Sequence, residues 1–147
     1  MNELVTMLSL DEILPLRVAV LRKGTPTTHC AYTEDDYDDA VHLGIVRDGH
    51  VVATSTWFTK QCPMVDDVTA LQLKGMAVSE NLQGEGLGEL LIAAGIEIAK
   101  ERGASLVWAR ARDAALGFYI KCQFVAMGDG FIDEPTGMPH HIVVRRL

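Results

Sequence analysis

The chain has 147 residues, 48% of them apolar and 22% charged, and carries a formal net charge of −7. That length suits one domain, 1–147, with a core of its own, and the negative charge argues against a nucleic-acid partner, which needs a basic face to displace counterions from phosphates. No apolar run approaches the roughly 18 residues of a membrane span, and "MNELVTMLSLDE" lacks the basic start and cleavage site of a signal peptide, so a soluble cytoplasmic protein with no membrane partner is expected.

Cys30, Cys62 and Cys122 are odd in number, far apart and without C-x-x-C spacing, which argues against a disulfide framework and a zinc site and leaves buried or incidental thiols. In chain order, Ser9 to Lys23 predicts a helix capped by Ser9, weakened by Pro15. "YTEDDYDD" reads as an acidic loop. "AVHLGIVRDGHVVATSTWF" predicts an antiparallel hairpin over 40–60 that turns at Asp48-Gly49. A strand follows over 69–78, whose interior Gly75 marks a bulge or a close backbone approach.

Leu87, Leu90, Leu91, Ala94 and Ile98 recur at intervals of three and four, predicting a helix over 86–102 that stops at Gly103. "SLVWARA" is a short strand over 105–111. "DAALGFYIKC" is a second helix with Asp113 near its cap, and "QFVAMGDGF" and "HHIVVRRL" are two final strands. The unit at 69–111 is then a right-handed βαβ crossover, with ligands expected beyond the carboxyl ends of its strands.

At that edge stands "QGEGLG", residues 83–88. Glycine is a poor helix former, costing about 1 kcal/mol in a helix interior, yet Gly84, Gly86 and Gly88 introduce one. The first amides of a helix lack intrahelical partners and sit at the positive end of its dipole, so a loop without Cβ atoms lets a phosphate reach them. A tight strand-to-helix connection is the plain structural alternative. The spacing fits neither a P-loop, because Glu89 and Leu90 follow Gly88, nor a dinucleotide fingerprint, because Glu89 replaces its last glycine.

What remains is Q-x-x-G-x-G at Gln83, Gly86 and Gly88, and this resembles the acetyl-CoA pyrophosphate loop of the GNAT superfamily of N-acetyltransferases. "LKGMAVSENLQGEGLG" is similar to the family's fourth strand entering that loop, and "ARDAALGFYIKCQF" to its second cofactor motif. The ends of the chain, "LRVAVLRKGTP" and "GMPHHIVVRRL", resemble the ElaA-like branch. The resemblance implies an α/β (α+β) fold: a mixed, mostly antiparallel sheet flanked by helices around a βαβ acetyl-CoA-binding core.

It also implies acetyl transfer from acetyl-CoA, a co-substrate, to a primary amine, without a metal. A non-catalytic acyl-CoA-binding module and a structural interaction domain are the alternatives. The cofactor-binding set it implies is Met76, Ala77, Val78, Gln83, Gly84, Glu85, Gly86, Leu87, Gly88, Arg112, Ala115, Phe118, Tyr119 and Lys121. Backbone groups near Met76 to Val78 would pair with the pantetheine arm, and Gly75 would splay this strand from the next. Tyr119 would protonate the thiolate, since a phenol of pKa about 10 is protonated at neutral pH.

Two positions depart from the family: Arg112 where Asn is common, and Gln123 where Gly is. Arg112 is read either as a fixed cation for a CoA phosphate or as a surface ion pair with Asp113 or another carboxylate. Glu134 and His42 are tentative bases, with His140 near the same last hairpin. A packed histidine and a solvated glutamate are the plain alternatives. His140 and His141, adjacent on a strand, point to opposite faces and do not make a metal pair. The run Glu34, Asp35, Asp36, Asp38 and Asp39 reads as a solvated loop or a lure for a cationic amine. Whether the acceptor is a small molecule, a peptide or a protein stays open, as does a homodimer.

Overall fold

Ser9 starts the first helix as its sequence requires. In the computed structural model, which describes residues 4–147, Ser9 Oγ accepts from the Glu12 amide at 3.2 Å and the Glu12 carboxylate accepts from the Ser9 amide at 2.9 Å. This reciprocal cap opens α1 (Leu10–Leu21), which runs through Pro15. Met1, Asn2 and Glu3 of the stretch read for a leader lie outside the described residues. A three-residue strand, β1 (Thr6–Leu8), precedes the helix and was not expected; it is too short to show a period.

The acidic loop contains one 3-10 turn, Thr33–Asp36. The hairpin is β2 (Val41–Arg47) and β3 (His50–Thr59), joined by Asp48 (φ 51°) and Gly49 (φ 77°), both left-handed as a two-residue turn of matching twist requires. Then come β4 (Ala70–Val78), α2 (Leu87–Glu101) and β5 (Leu106–Arg112). A 3-10 turn at Asp113–Ala115 leads into α3 (Leu116–Lys121), followed by β6 (Val125–Asp133) and β7 (Met138–Arg146). Asp113 does not cap α3; its carboxylate takes His141 Nδ1 at 2.7 Å instead.

The sheet order is β1-β2-β3-β4-β5-β7-β6, and among the described residues only the β4–β5 pair is parallel, as the crossover dictates. Successive side chains on a strand face opposite ways, and β3 shows what each face carries. Thr56 meets α1 through Arg17, while Trp57 meets α2, so the two long helices cover opposite faces. At Gly95 of α2 a Cβ would stand 2.0 Å from the Trp57 indole, which accounts for a glycine in mid-helix. Trp57, Leu71, Leu91, Val107 and Phe124 form the main core on this side. All three thiols are free and buried.

Two irregularities open the sheet. Thr54 pairs with Ala77 but Thr56 with Lys74, so Gly75 and Met76 together oppose Ser55 alone, and Gly75 takes φ +68°. This is the bulge expected at Gly75. On its other edge β4 pairs with β5 only from Ala70–Leu106 to Leu73–Ala109. Beyond Leu73 the two strands part, and the β5-facing backbone of Met76 to Val78 has no strand partner.

Candidate active site

The parted strands open onto a cavity of about 800 Å³. Leu73 to Met76 of β4, Arg110 to Arg112 of β5, Ala115 at the N-cap of α3 and Phe118 and Tyr119 within it line one side. The end of α1 and the chain after it (Leu21, Arg22, Thr27, His29, Ala31, Tyr32) and the last hairpin (Ile132 to Thr136, His140) line the other. Of the residues expected at the site, the fold brings Met76, Arg112, Ala115, Phe118, Tyr119 and Glu134 to this one cavity. His42 does not line it.

His42 belongs to a separate buried cluster on the α1 face of the sheet. Its Nδ1 lies 2.8 Å from Thr56 Oγ1, the same hydroxyl that accepts from Arg17 at 2.7 Å. Arg17 is fully buried and forks onto Asp35 at 2.8 and 2.9 Å, with a third bond to the Cys30 carbonyl. Burial lowers the His42 pKa, Asp35 opposes this and Arg17 adds to it, so the ring is held neutral. The geometry therefore supports the packed-histidine reading of His42.

The acidic run divides: Asp36 and Asp38 are exposed, whereas Glu34, Asp35 and Asp39 are bonded within the fold. Besides Asp35, Glu34 accepts from Lys60 at 2.7 Å and Lys74 at 3.1 Å, and Asp39 accepts from the Thr59 amide and from Arg102. Burial alone would raise the Glu34 carboxyl, but bonds from Lys60, its own backbone and Lys74 outweigh it and bring it down to about 2. Sequence reasoning missed Arg17, although one signal existed: it sits one turn after Ile13, on the same buried stripe of α1.

The glycine loop joins the end of β4 to α2, and its three glycines have three reasons. Gly84 (φ +87°) has open space where a Cβ would be, and Gly86 (φ +88°) is the left-handed N-cap of α2, with no side chain capping the helix. These two leave the first-turn amides accessible to an anion. Gly88 is different: a Cβ there would meet the Phe118 ring at 2.7 Å, so its smallness serves helix packing, not phosphate approach. Gln83 donates to the Val78 carbonyl at 3.0 Å and braces the turn. Glu85 pairs with Arg47 at 3.7 Å and Glu89 with the exposed Lys121 at 3.6 Å, which draws both carboxylates of the loop toward cations on other elements. These features fit a bound pyrophosphate.

Tyr119 is buried among Phe118 and Phe124, edge to face with each, and its hydroxyl makes no hydrogen bond to any described residue. Burial first, and then Cys122, push the phenol above its ordinary pKa. Arg112 makes no ion pair with Asp113, which is taken by His141; its guanidinium donates to the Leu21 carbonyl at the end of α1. His140 is buried, stacks on Phe131 and places Nδ1 2.9 Å from the Met138 carbonyl, which fixes the proton there and leaves Nε2 as an acceptor. Glu134 is exposed at the hairpin tip. Gln123, where the family favours glycine, keeps the glycine-like conformation with φ +70°.

Residues 10–124 match the sequence model of the Acetyltransferase (GNAT) family. The uncharacterized N-acetyltransferase YitI of Bacillus subtilis (strain 168) is 29% identical over 140 residues, covering 95% of this chain and 93% of that protein. The fold is that of Escherichia coli ElaA, with a TM-score of 0.77 at 20% identity over 99% of this chain and 100% of the other. An aminoglycoside 6'-N-acetyltransferase complexed with coenzyme A superposes with a TM-score of 0.71 at 9% identity, over 97% and 96%. The chain belongs to the Acetyltransferase (GNAT) family, enzymes that move an acyl group from acyl-CoA to an amine.

Proposed function

We propose that this protein is a cytoplasmic N-acetyltransferase that moves the acetyl group of acetyl-CoA to a primary amine by direct attack. The observation that carries the reading is the unpaired edge of β4 beyond Leu73, which opens on a cavity lined by Tyr119 and leads along the chain to the uncapped N-terminus of α2. The name of YitI and the coenzyme A complex of the aminoglycoside enzyme support it.

Acetyl-CoA supplies the activated thioester. Around it, the amides of Gly84 to Gly88 and the α2 dipole hold the pyrophosphate, with Gln83 fixing the turn and Glu85 and Lys121 serving through their ion pairs. The free edge of Met76, Ala77 and Val78 aligns the pantetheine arm and polarises the carbonyl, and Ala115 and Phe118 flank it. Tyr119 gives its proton to the departing thiolate. On the acceptor side His140 Nε2 takes the amine proton, and Glu134 at the rim is the other acceptor within the same cavity.

Calorimetric titration with acetyl-CoA, followed by thiol release with a panel of primary amines, tests the reading. Saturable binding and turnover with at least one amine are expected. No binding of acetyl-CoA would sink the proposal, and binding without turnover by any amine would leave an acyl-CoA-binding module.

A further inference from the structure

The cavity holds more positive charge than its own residues neutralise. Of its cations, Lys74 is paired with Glu34 and Arg110 with Asp133 at 3.1 Å, while Asp133 is further occupied by Thr136. Arg22 and Arg112 make no ion pair with any described residue. Both guanidiniums converge on one backbone oxygen: Arg22 Nη1 reaches the Leu21 carbonyl at 3.4 Å, and Arg112 Nη2 donates to the same atom. Arg22 Nε is fixed on the His29 carbonyl at 2.7 Å. Free donors remain on both: Nη2 of Arg22, and Nε and Nη1 of Arg112.

From this convergence, and resting on the acyltransferase reading, we propose that Arg22 and Arg112 form a carboxylate-binding subsite for the acceptor, so that the amine substrate is a small amino acid-like molecule. Two half-buried guanidiniums side by side repel each other unless an anion sits between them, and their forked donors match a planar carboxylate. Burial, and next the charge of Arg22, lower the Arg112 pKa, the sign expected of two cations facing each other. The position favours the acceptor over the cofactor. Both arginines line the cavity with His140 and Tyr32, whereas no residue of the 83–88 loop does. At about 800 Å³ the cavity is of small-molecule size.

The test reads the arginines directly. The full chain saturated with CoA is labelled at the arginine Nε atoms and followed by NMR while 4-aminobutyrate, phenylalanine and glycine are added, each beside its carboxamide. Saturable shifts of the Arg22 and Arg112 signals with carboxylates and not with carboxamides are expected. Arg22→Gln and Arg112→Gln, which keep a donor and lose the charge, should each weaken carboxylate binding by about tenfold or more. The acetyl-CoA affinity of Arg22→Gln, measured separately by calorimetry, should stay unchanged. Equal responses to carboxylates and carboxamides, or none to any carboxylate, overturn the proposal. A fall in acetyl-CoA affinity without loss of the carboxylate response assigns the pair to a CoA phosphate and overturns it too. Wild-type protein that fails to bind acetyl-CoA speaks against the acyltransferase reading instead.

Discussion

The two faces of the sheet are built on different physics. On the α2 face an apolar stripe covers an apolar sheet, with Gly88 and Gly95 letting Phe118 and Trp57 in. On the α1 face the fully buried Arg17 and Thr56 form a bonded polar chain with the partly buried Asp35 and His42, flanked by the Tyr32 ring 4.4 Å from the Arg17 guanidinium. Non-directional packing tolerates some loss, whereas a buried charge left without its partner keeps its whole desolvation cost. The faces should therefore break differently.

The sharpest cut is Arg17→Ala. It strands the Asp35 carboxylate, 1% exposed, and should cost about 3–5 kcal/mol in urea unfolding. A loss below about 1 kcal/mol would show that the polar chain is not what secures the α1 face. In the other half, Gly95→Ala places a Cβ into the Trp57 indole and should cost about 1–3 kcal/mol, the usual toll of overpacking. Equal or larger damage from Gly95→Ala would reverse the comparison.

Between these in size is Tyr119→Phe, which deletes one oxygen and keeps the ring between Phe118 and Phe124. With a turned-over amine, kcat should fall about 10²-fold while acetyl-CoA affinity holds, if proton donation to the thiolate is its role. Because burial raises the phenol, wild-type activity should show no alkaline decline at the ordinary tyrosine pKa of about 10; donation needs the protonated form, and that form persists to higher pH. Full turnover by the variant, where chemistry limits the rate, leaves water as the donor.

What the sequence revealed follows the same division. The α2 helix, the hairpin at Asp48-Gly49 and the parallel crossover were legible because each is encoded locally, by a period of 3.6, a dipeptide that accepts positive φ, and a connection length. The Gly75 bulge was legible for the same reason. The Arg17 cluster was not, since its partners stand at 30, 35, 42 and 56, and nothing near Arg17 in the chain marks them. The pairing of Arg22 with Arg112 is likewise a product of folding. Within the glycine loop nothing local distinguishes Gly88, which admits Phe118, from Gly84, which faces open space.

That distinction can be sharpened by charge. Gly84→Asn and Gly84→Asp have nearly the same shape, and both residues tolerate the left-handed backbone found there at φ +87°. They differ by one negative charge beside the α2 amides. The Asp variant should bind acetyl-CoA about tenfold more weakly than the Asn variant, roughly 1.4 kcal/mol by calorimetry. Equal affinities would move the pyrophosphate away from the loop.

The smallest effect has the opposite sign. Gln123 follows α3, its amide donates to the Ile120 carbonyl at 2.9 Å, and its φ of +70° brings its Cβ against its own backbone. A left-handed residue with a side chain costs about 1–2 kcal/mol relative to glycine, part of which is offset by glycine's greater freedom in the unfolded chain. Gln123→Gly should therefore stabilise the fold by about 0.5–1 kcal/mol, although it touches neither the core nor the cavity. The gain should appear as a higher urea midpoint at unchanged slope, since no surface is newly buried. A destabilised variant would mean that the Gln123 side chain, exposed in this structure, contributes more to the turn than its backbone strain removes.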